Sequence, residues 1–170
     1  MDLTGKVLLF LDFAMSRSER TLADTHQLAA RQVLEQLAAG LDVALLTLGD
    51  VSVYSSFCYV MDLVRAAGYE TVMIPGVPSF CASAAALGRS LTEMNEPLHI
   101  LPAGGHLSLP EALALPGTKV LMKSASEIGR VVDELRERKL IKNSGMVERC
   151  GLPGEKIYRN LEDCLLYTSD

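Results

Sequence analysis

An α/β fold built on a largely parallel sheet is predicted by three features of the sequence. Short continuous apolar runs recur along the first half of the chain: "VLLFL" at 7–11, "VALLTL" at 43–48 and "TVMI" at 71–74. Such runs read as strands buried on both faces. Between them lie helical patterns, each stopped by a glycine, and strands alternating with helices argue for parallel order.

The first strand, 7–11, leads into a helix over 19–39, where Leu22, Ala29, Ala30, Val33 and Leu37 recur at three- and four-residue spacing and Gly40 supplies a left-handed stop. The strand at 43–48 follows. Ser55 or Ser56 can cap a second helix running to Ala67, with Gly68 ending it. After the strand at 71–74, Ser79 is placed to cap "FCASAAALG". The texture then changes: "PLHILPAGG" reads as a strand broken by glycines, "LSLPEALALPG" as loop with a short helical piece, and "TKVLMKS" as a strand. Ser124 and Glu127 have capping-box spacing ahead of an apolar stripe at Ile128, Val131, Val132 and Leu135. "GMVERC", the turn "GLPG" and "EKIYR" predict a hairpin-like pair of strands. The domain boundary is placed near 95–97, giving an N-terminal α/β domain over 1–95 and a C-terminal α/β domain over 96–170.

Composition narrows the function classes. With 170 residues, 49% hydrophobic and 22% charged, the chain is globular and long enough to bury a core. A net charge of −5 gives no electrostatic reason to expect nucleic acid or an anionic membrane as partner. The longest uncharged stretch, 71–88, is interrupted by Pro75 and Pro78, so no transmembrane segment is expected. Cys58, Cys81, Cys150 and Cys164 are widely spaced with no Cys-x-x-Cys pair, and the start "MDLT" lacks a basic signal sequence, which places the protein in the cytoplasm.

Several chemistries are unsupported. There is no Gly-x-x-x-x-Gly-Lys-Ser/Thr loop and no Gly-x-Gly-x-x-Gly after a strand, and Gly104 and Gly105 read as a flexible turn. His26, His99 and His106 do not combine with the cysteines at zinc-ligand spacing, so no protein-bound metal is expected. No Gly-x-Ser-x-Gly elbow occurs. What remains is "LTLGDVSVYSSF" at 46–57, where an apolar strand empties into Gly49, Asp50 and a hydroxyl-rich turn. In parallel sheets ligands bind beyond the carboxyl ends of strands, and Gly49-Asp50 and Gly76-Val77-Pro78-Ser79 both fall at such ends. Glycine lets backbone approach a ligand, and the aspartate can balance a cation; equally, Asp50 and the serines can do no more than satisfy helix-start amides.

"LTLGDVSVYSSF", followed in order by "AAGYETVMIPGVPSFCASAAALG", "EPLHILPA", "VLMKS" and "VERCGLPGEKIYR", resembles the tetrapyrrole (class III) methyltransferase family over nearly the whole chain. The resemblance implies two α/β domains with a cleft between them for S-adenosylmethionine, in a homodimer. It implies methyl transfer to C-20 of precorrin-2 or cobalt-precorrin-2 in cobalamin biosynthesis, the rivals being transfer to another corrin position and a non-catalytic binding module. Carried over, Leu48, Gly49, Asp50 and Val53 line the methionine side of the cofactor pocket, with Pro78 and Ser79 close by. Met122, Cys150 and Gly151 match segments enclosing the adenosine; core filler is the alternative for Met122. Tyr54 is the candidate for facing the substrate, or else a packed aromatic. Because the substrate is a polycarboxylate, arginines or lysines should meet it. Arg17, Arg20 and Arg89 lie on motif-adjacent loops and are not assigned.

Two departures stand out. Family members begin with a strand and a Gly-x-Gly-Pro-Gly-Asp-Pro loop that this chain does not show, so the first domain is expected to lack its first strand. The close "LYTSD" resembles adapter read-through, and the chain is expected to be a fragment truncated at both ends.

Overall fold

The computed structural model describes residues 3–13, 18–102 and 105–162. Arg17, Gly104, Cys164 and the closing stretch "CLLYTSD" lie outside the described residues. The chain divides into two compact units, Met1–Gly76 and Val77–Asp170. The division precedes the change in sequence texture near 95–97, and helix 79–87 packs with the later strands at 146–148 and 156–158.

The first unit is built on two helices. α1, Glu19–Ala38, starts where Ser18 accepts a hydrogen bond from the Thr21 amide, and Gly40 follows its end at φ 79°. α2, Phe57–Ala66, is preceded by a serine pair of which Ser55, not the N-cap Ser56, accepts the Phe57 amide. The apolar faces expected from the spacing meet: Ala29, Ala30 and Val33 of α1 bury against Val60 and Val64 of α2. Leu11 and Phe13 from the segment before α1, and Leu45 from the segment between the helices, pack against the cluster. His26 of α1 is buried as well and stacks on Tyr59 of α2, ring centroids 4.4 Å apart and nearly parallel.

The three apolar runs of this unit depart from expectation. Among the described residues, 7–11, 43–48 and 71–74 form no β-ladder. Thr71 and Met73 are half-buried while Val72 and Ile74 are exposed, and Leu48 is 83% exposed. Burial alternates as in a strand over 71–74, without the pairing, whereas Val7 to Phe10 are exposed throughout and in 43–48 Leu45 alone is half-buried. Apolar composition reports a side chain's preference to leave water, whereas a ladder also requires a second extended backbone in register beside it.

The second unit holds the strands. α3, Ser79–Leu87, has Pro78 rather than Ser79 as its N-cap, and ends at Gly88 in the left-handed region. Proline's fixed φ suits the extended cap position here, which moves Ser79 into the first turn. β1, Leu98–Pro102, and β2, Thr118–Met122, pair in parallel from Leu98 opposite Thr118 to Pro102 opposite Met122. The crossover carries α4, Leu109–Ala114, whose Ser108 and Glu111 form a complete capping box. That box, and not Ser124 with Glu127, is the one that forms: after Ser124 the chain makes a 3-10 turn, and α5, Ile128–Glu137, begins with Glu127 itself at the cap. The α5 stripe behaves as read, with Val131, Val132 and Leu135 buried among Leu113, Ile141 and Leu161. β3, Met146–Glu148, and β4, Lys156–Tyr158, form the expected antiparallel pair.

Candidate functional site

The hydroxyl-rich turn after the 43–48 run is held by its own aspartate. One Asp50 oxygen, Oδ1, accepts both the Ser52 amide, at 2.8 Å, and the Ser52 hydroxyl; the other, Oδ2, accepts the Gly76 amide at 2.9 Å. Two loops 26 residues apart are thus joined through one carboxylate. The Ser52 hydroxyl, then the Ser52 amide, then the Gly76 amide hold that carboxyl below the ordinary aspartate range, so Asp50 is an anion at neutral pH.

Two glycines make this approach possible. Gly49 takes φ 84°, where a Cβ is disfavoured, and a Cβ built on Gly76 would run into the Gly49 carbonyl oxygen. The turn is fastened further down as well: the Val53 amide donates to the Asp50 carbonyl, and the Cys58 thiol, from the first turn of α2, donates to the Val51 carbonyl. Tyr54 follows at φ 49°, half exposed, a conformation that costs a bulky L-residue energy. No lysine or arginine occurs in 49–56 or 71–77; Arg65 donates to the Thr71 hydroxyl and carbonyl at the start of the second segment, and Asp50 is the charged group that meets Gly76.

In the second unit the expected residues lie on separate features. Pro78 and Ser79 open α3. Met122 ends β2, with Lys123 next to it at φ 59°. Cys150 and Gly151 sit in the β3–β4 connection just after Arg149, at φ 53°, and the Gly151 amide donates to Glu155 Oε2 at 2.6 Å. The Met122 and Cys150-Gly151 segments therefore each adjoin a non-glycine residue in the left-handed region, as the Gly49-Asp50 turn does at Tyr54, whereas the Pro78-Ser79 segment does not. Arg89 and Arg159 lash the far end of α3 to β4: Arg89 donates to the Arg159 carbonyl and Arg159 to the Ala86 carbonyl. A cavity of about 440 Å³ in this unit, bordered by Leu101, Leu107, Leu121, Ser124, Glu127 and Arg130, is lined by none of the expected cofactor residues.

Sequence reasoning missed Ser52, Cys58 and Glu155. Ser52, two residues after Asp50 in a turn, carried the Asx-type signal that could have been read. Nothing local marks Cys58 or Glu155. Among the described residues no group of three or more His, Cys, Asp or Glu could hold a metal ion, and no helix is long and apolar enough to cross a membrane.

The order of motifs matches one family model, Tetrapyrrole (Corrin/Porphyrin) Methylases, over residues 2–165. The chain belongs to the tetrapyrrole methylase family. Among curated relatives, a probable cobalt-precorrin-2 C(20)-methyltransferase of Methanocaldococcus jannaschii is 38% identical over 103 residues, 61% of this chain and 44% of that protein. A precorrin-4 C(11)-methyltransferase of Rhodococcus erythropolis is 41% identical over 73 residues, 41% of this chain and 29% of its own length. The solved structure of a cobalamin biosynthetic enzyme, cobalt precorrin-4 methyltransferase, superposes with a TM-score of 0.69 at 23% identity, covering 81% of this chain and 63% of that one. That likeness establishes the α/β tetrapyrrole-methylase fold. The chain spans about half the length of the family members it matches.

Proposed function

We propose that this tetrapyrrole methylase takes part in cobalamin biosynthesis by transferring a methyl group from S-adenosylmethionine to C-20 of precorrin-2 or cobalt-precorrin-2. The observation that carries the cofactor reading is the joined loop pair, Gly49-Asp50 with Gly76, at the ends of two apolar runs. The longer of the two curated matches described above, to a C(20)-methyltransferase, supports the position.

The residues present fit the cofactor. With its sulfonium, α-ammonium and α-carboxylate the methionine side is net cationic, and where Gly49 meets Gly76 the loop pair carries the Asp50 carboxylate, no basic residue of its own and no Cβ at the closest approach. Leu48, Gly49, Asp50 and Val53 would hold the methionine side, with Pro78 and Ser79 beside them. Met122, Cys150 and Gly151 would hold the adenosine. When bound, the cofactor supplies an electrophilic methyl group. The electron-rich macrocycle supplies its own carbon nucleophile and sheds the proton of the methylated carbon as H+, so little side-chain chemistry is asked of the protein; its residues align the partners and exclude water. Tyr54, half exposed beyond the turn, is proposed to face the substrate. The working enzyme is proposed to be a cytoplasmic homodimer.

Transfer to C-11 is the second reading, favoured by the precorrin-4 relative, which is 41% identical over its shorter match. Incubating the protein with S-adenosylmethionine carrying a ¹³C methyl and each precorrin, then locating the label by NMR, decides between them. Label at C-20 supports the proposal, label at C-11 replaces it, and absence of transfer alongside absence of S-adenosylhomocysteine binding overturns both.

A further inference from the structure

We infer that Ser52 is a positioning residue of the cofactor site, acting through the Asp50 carboxylate to lock the Gly49 turn onto the Gly76 loop. The inference rests on the methyl-transfer reading above. Ser52 is itself exposed, and its backbone and side chain converge on one carboxylate oxygen. A lone hydrogen bond to an exposed carboxylate competes with water on nearly equal terms, because water replaces the partner at little cost. Asp50 escapes that competition by being gripped from both sides: two Ser52 donors occupy Oδ1 while the Gly76 amide occupies Oδ2. Fixing Oδ1 removes the side-chain rotation that would release Oδ2 from Gly76. Ser52 thereby controls a contact that it does not itself make.

The geometry of the approach adds a second dependence. The Gly49 carbonyl lies against the Gly76 Cα, so the direction of that carbonyl is set by how closely the two loops are drawn together. With each carboxylate oxygen able to accept about two hydrogen bonds, the two donors on Oδ1 and one on Oδ2 leave an acceptor position on Oδ2. The Ser52 hydroxyl orients that remaining lone pair. Removing the hydroxyl keeps every atom of Asp50 and of both glycines but leaves the Ser52 amide as the one Ser52 donor on Oδ1, which loosens the hold on the carboxylate.

The test compares wild type, Ser52→Ala and Ser52→Thr in the full 170-residue chain. S-adenosylhomocysteine affinity is measured by calorimetry, the unfolding midpoint by circular dichroism, and the Gly76 amide by ¹⁵N NMR. Ser52→Ala is expected to weaken affinity about tenfold, the scale of one charge-assisted hydrogen bond. Its midpoint should stay within about 2 °C of wild type, as for an exposed substitution, and its Gly76 amide should move upfield. Ser52→Thr, which keeps the hydroxyl, should restore both affinity and amide shift. Wild-type affinity in Ser52→Ala, or a loss that threonine fails to rescue, overturns the positioning role. No binding by the folded wild-type chain overturns the methyl-transfer reading and with it the cofactor role of Ser52. The Gly76 amide response still shows in that case whether Ser52 governs the contact between the loops.

Discussion

Replacing Gly76 by alanine adds one methyl group at the closest approach of the two site loops, where the new Cβ would overlap the Gly49 carbonyl oxygen. The obstacle is backbone, so no side-chain rotation relieves it, and the loops must separate. Such overpacking costs about 1–3 kcal/mol, which for a chain of this size lowers the unfolding midpoint by roughly 2–12 °C. Separation also draws the Gly76 amide away from Asp50, so S-adenosylhomocysteine affinity should fall at least as far as in Ser52→Ala. Gly129→Ala is the internal control. Gly129 lies in the first turn of α5 with open space where its Cβ would be, and there alanine should stabilise by about 0.5–1 kcal/mol through reduced backbone freedom in the unfolded chain. Differential scanning calorimetry of both variants, with ligand titrations on each, measures the pair. Equal midpoints for Gly76→Ala and Gly129→Ala, or undiminished affinity in Gly76→Ala, would refute the close approach and everything built on it.

The Asp50 carboxyl is held below its ordinary value of 3.8, so the stability it confers is complete above that value and is lost as pH falls through the lowered one. The Gly76 amide shift should accordingly stay flat from pH 7 to 5 and titrate with a midpoint below 3.8, a response abolished in Asp50→Asn. Leu135→Ala should cost about 2–5 kcal/mol by opening a cavity among Val131, Val132 and Ile141, read as a lowered urea midpoint. The His26–Tyr59 stack should show a coupling of about 0.5–1.5 kcal/mol in a double-mutant cycle with leucine at each position, measured by chemical denaturation. Independent effects of the two substitutions would mean that the rings merely occupy space.

How far the sequence speaks is clearest along α1 and α5, where three- and four-residue spacing picked out the buried Ala29, Ala30 and Val33 and the buried Val131, Val132 and Leu135, though not the buried His26. Helical periodicity and glycine stops are local, since both depend on residues within a turn or two of each other. The Gly49-Asp50 turn was legible as a candidate site for the same reason: a glycine, an acid and several hydroxyls crowd the end of one apolar run. The partner of that aspartate was not. The Gly76 amide lies 26 residues away, and its meeting with Asp50 depends on where two loops come to rest. The contact of Arg159 with α3 spans 73 residues and left no trace in either segment. The apolar runs at 7–11, 43–48 and 71–74 mark the other boundary: their composition declares a wish for burial, but ladder formation is decided between segments, and here it did not follow. Local spacing by itself determined the helices and the strands at 98–102 and 118–122; only the tertiary structure decided that Asp50 works as a fastening between loops, because hydrogen-bond partners distant in sequence become neighbours only once the chain has folded.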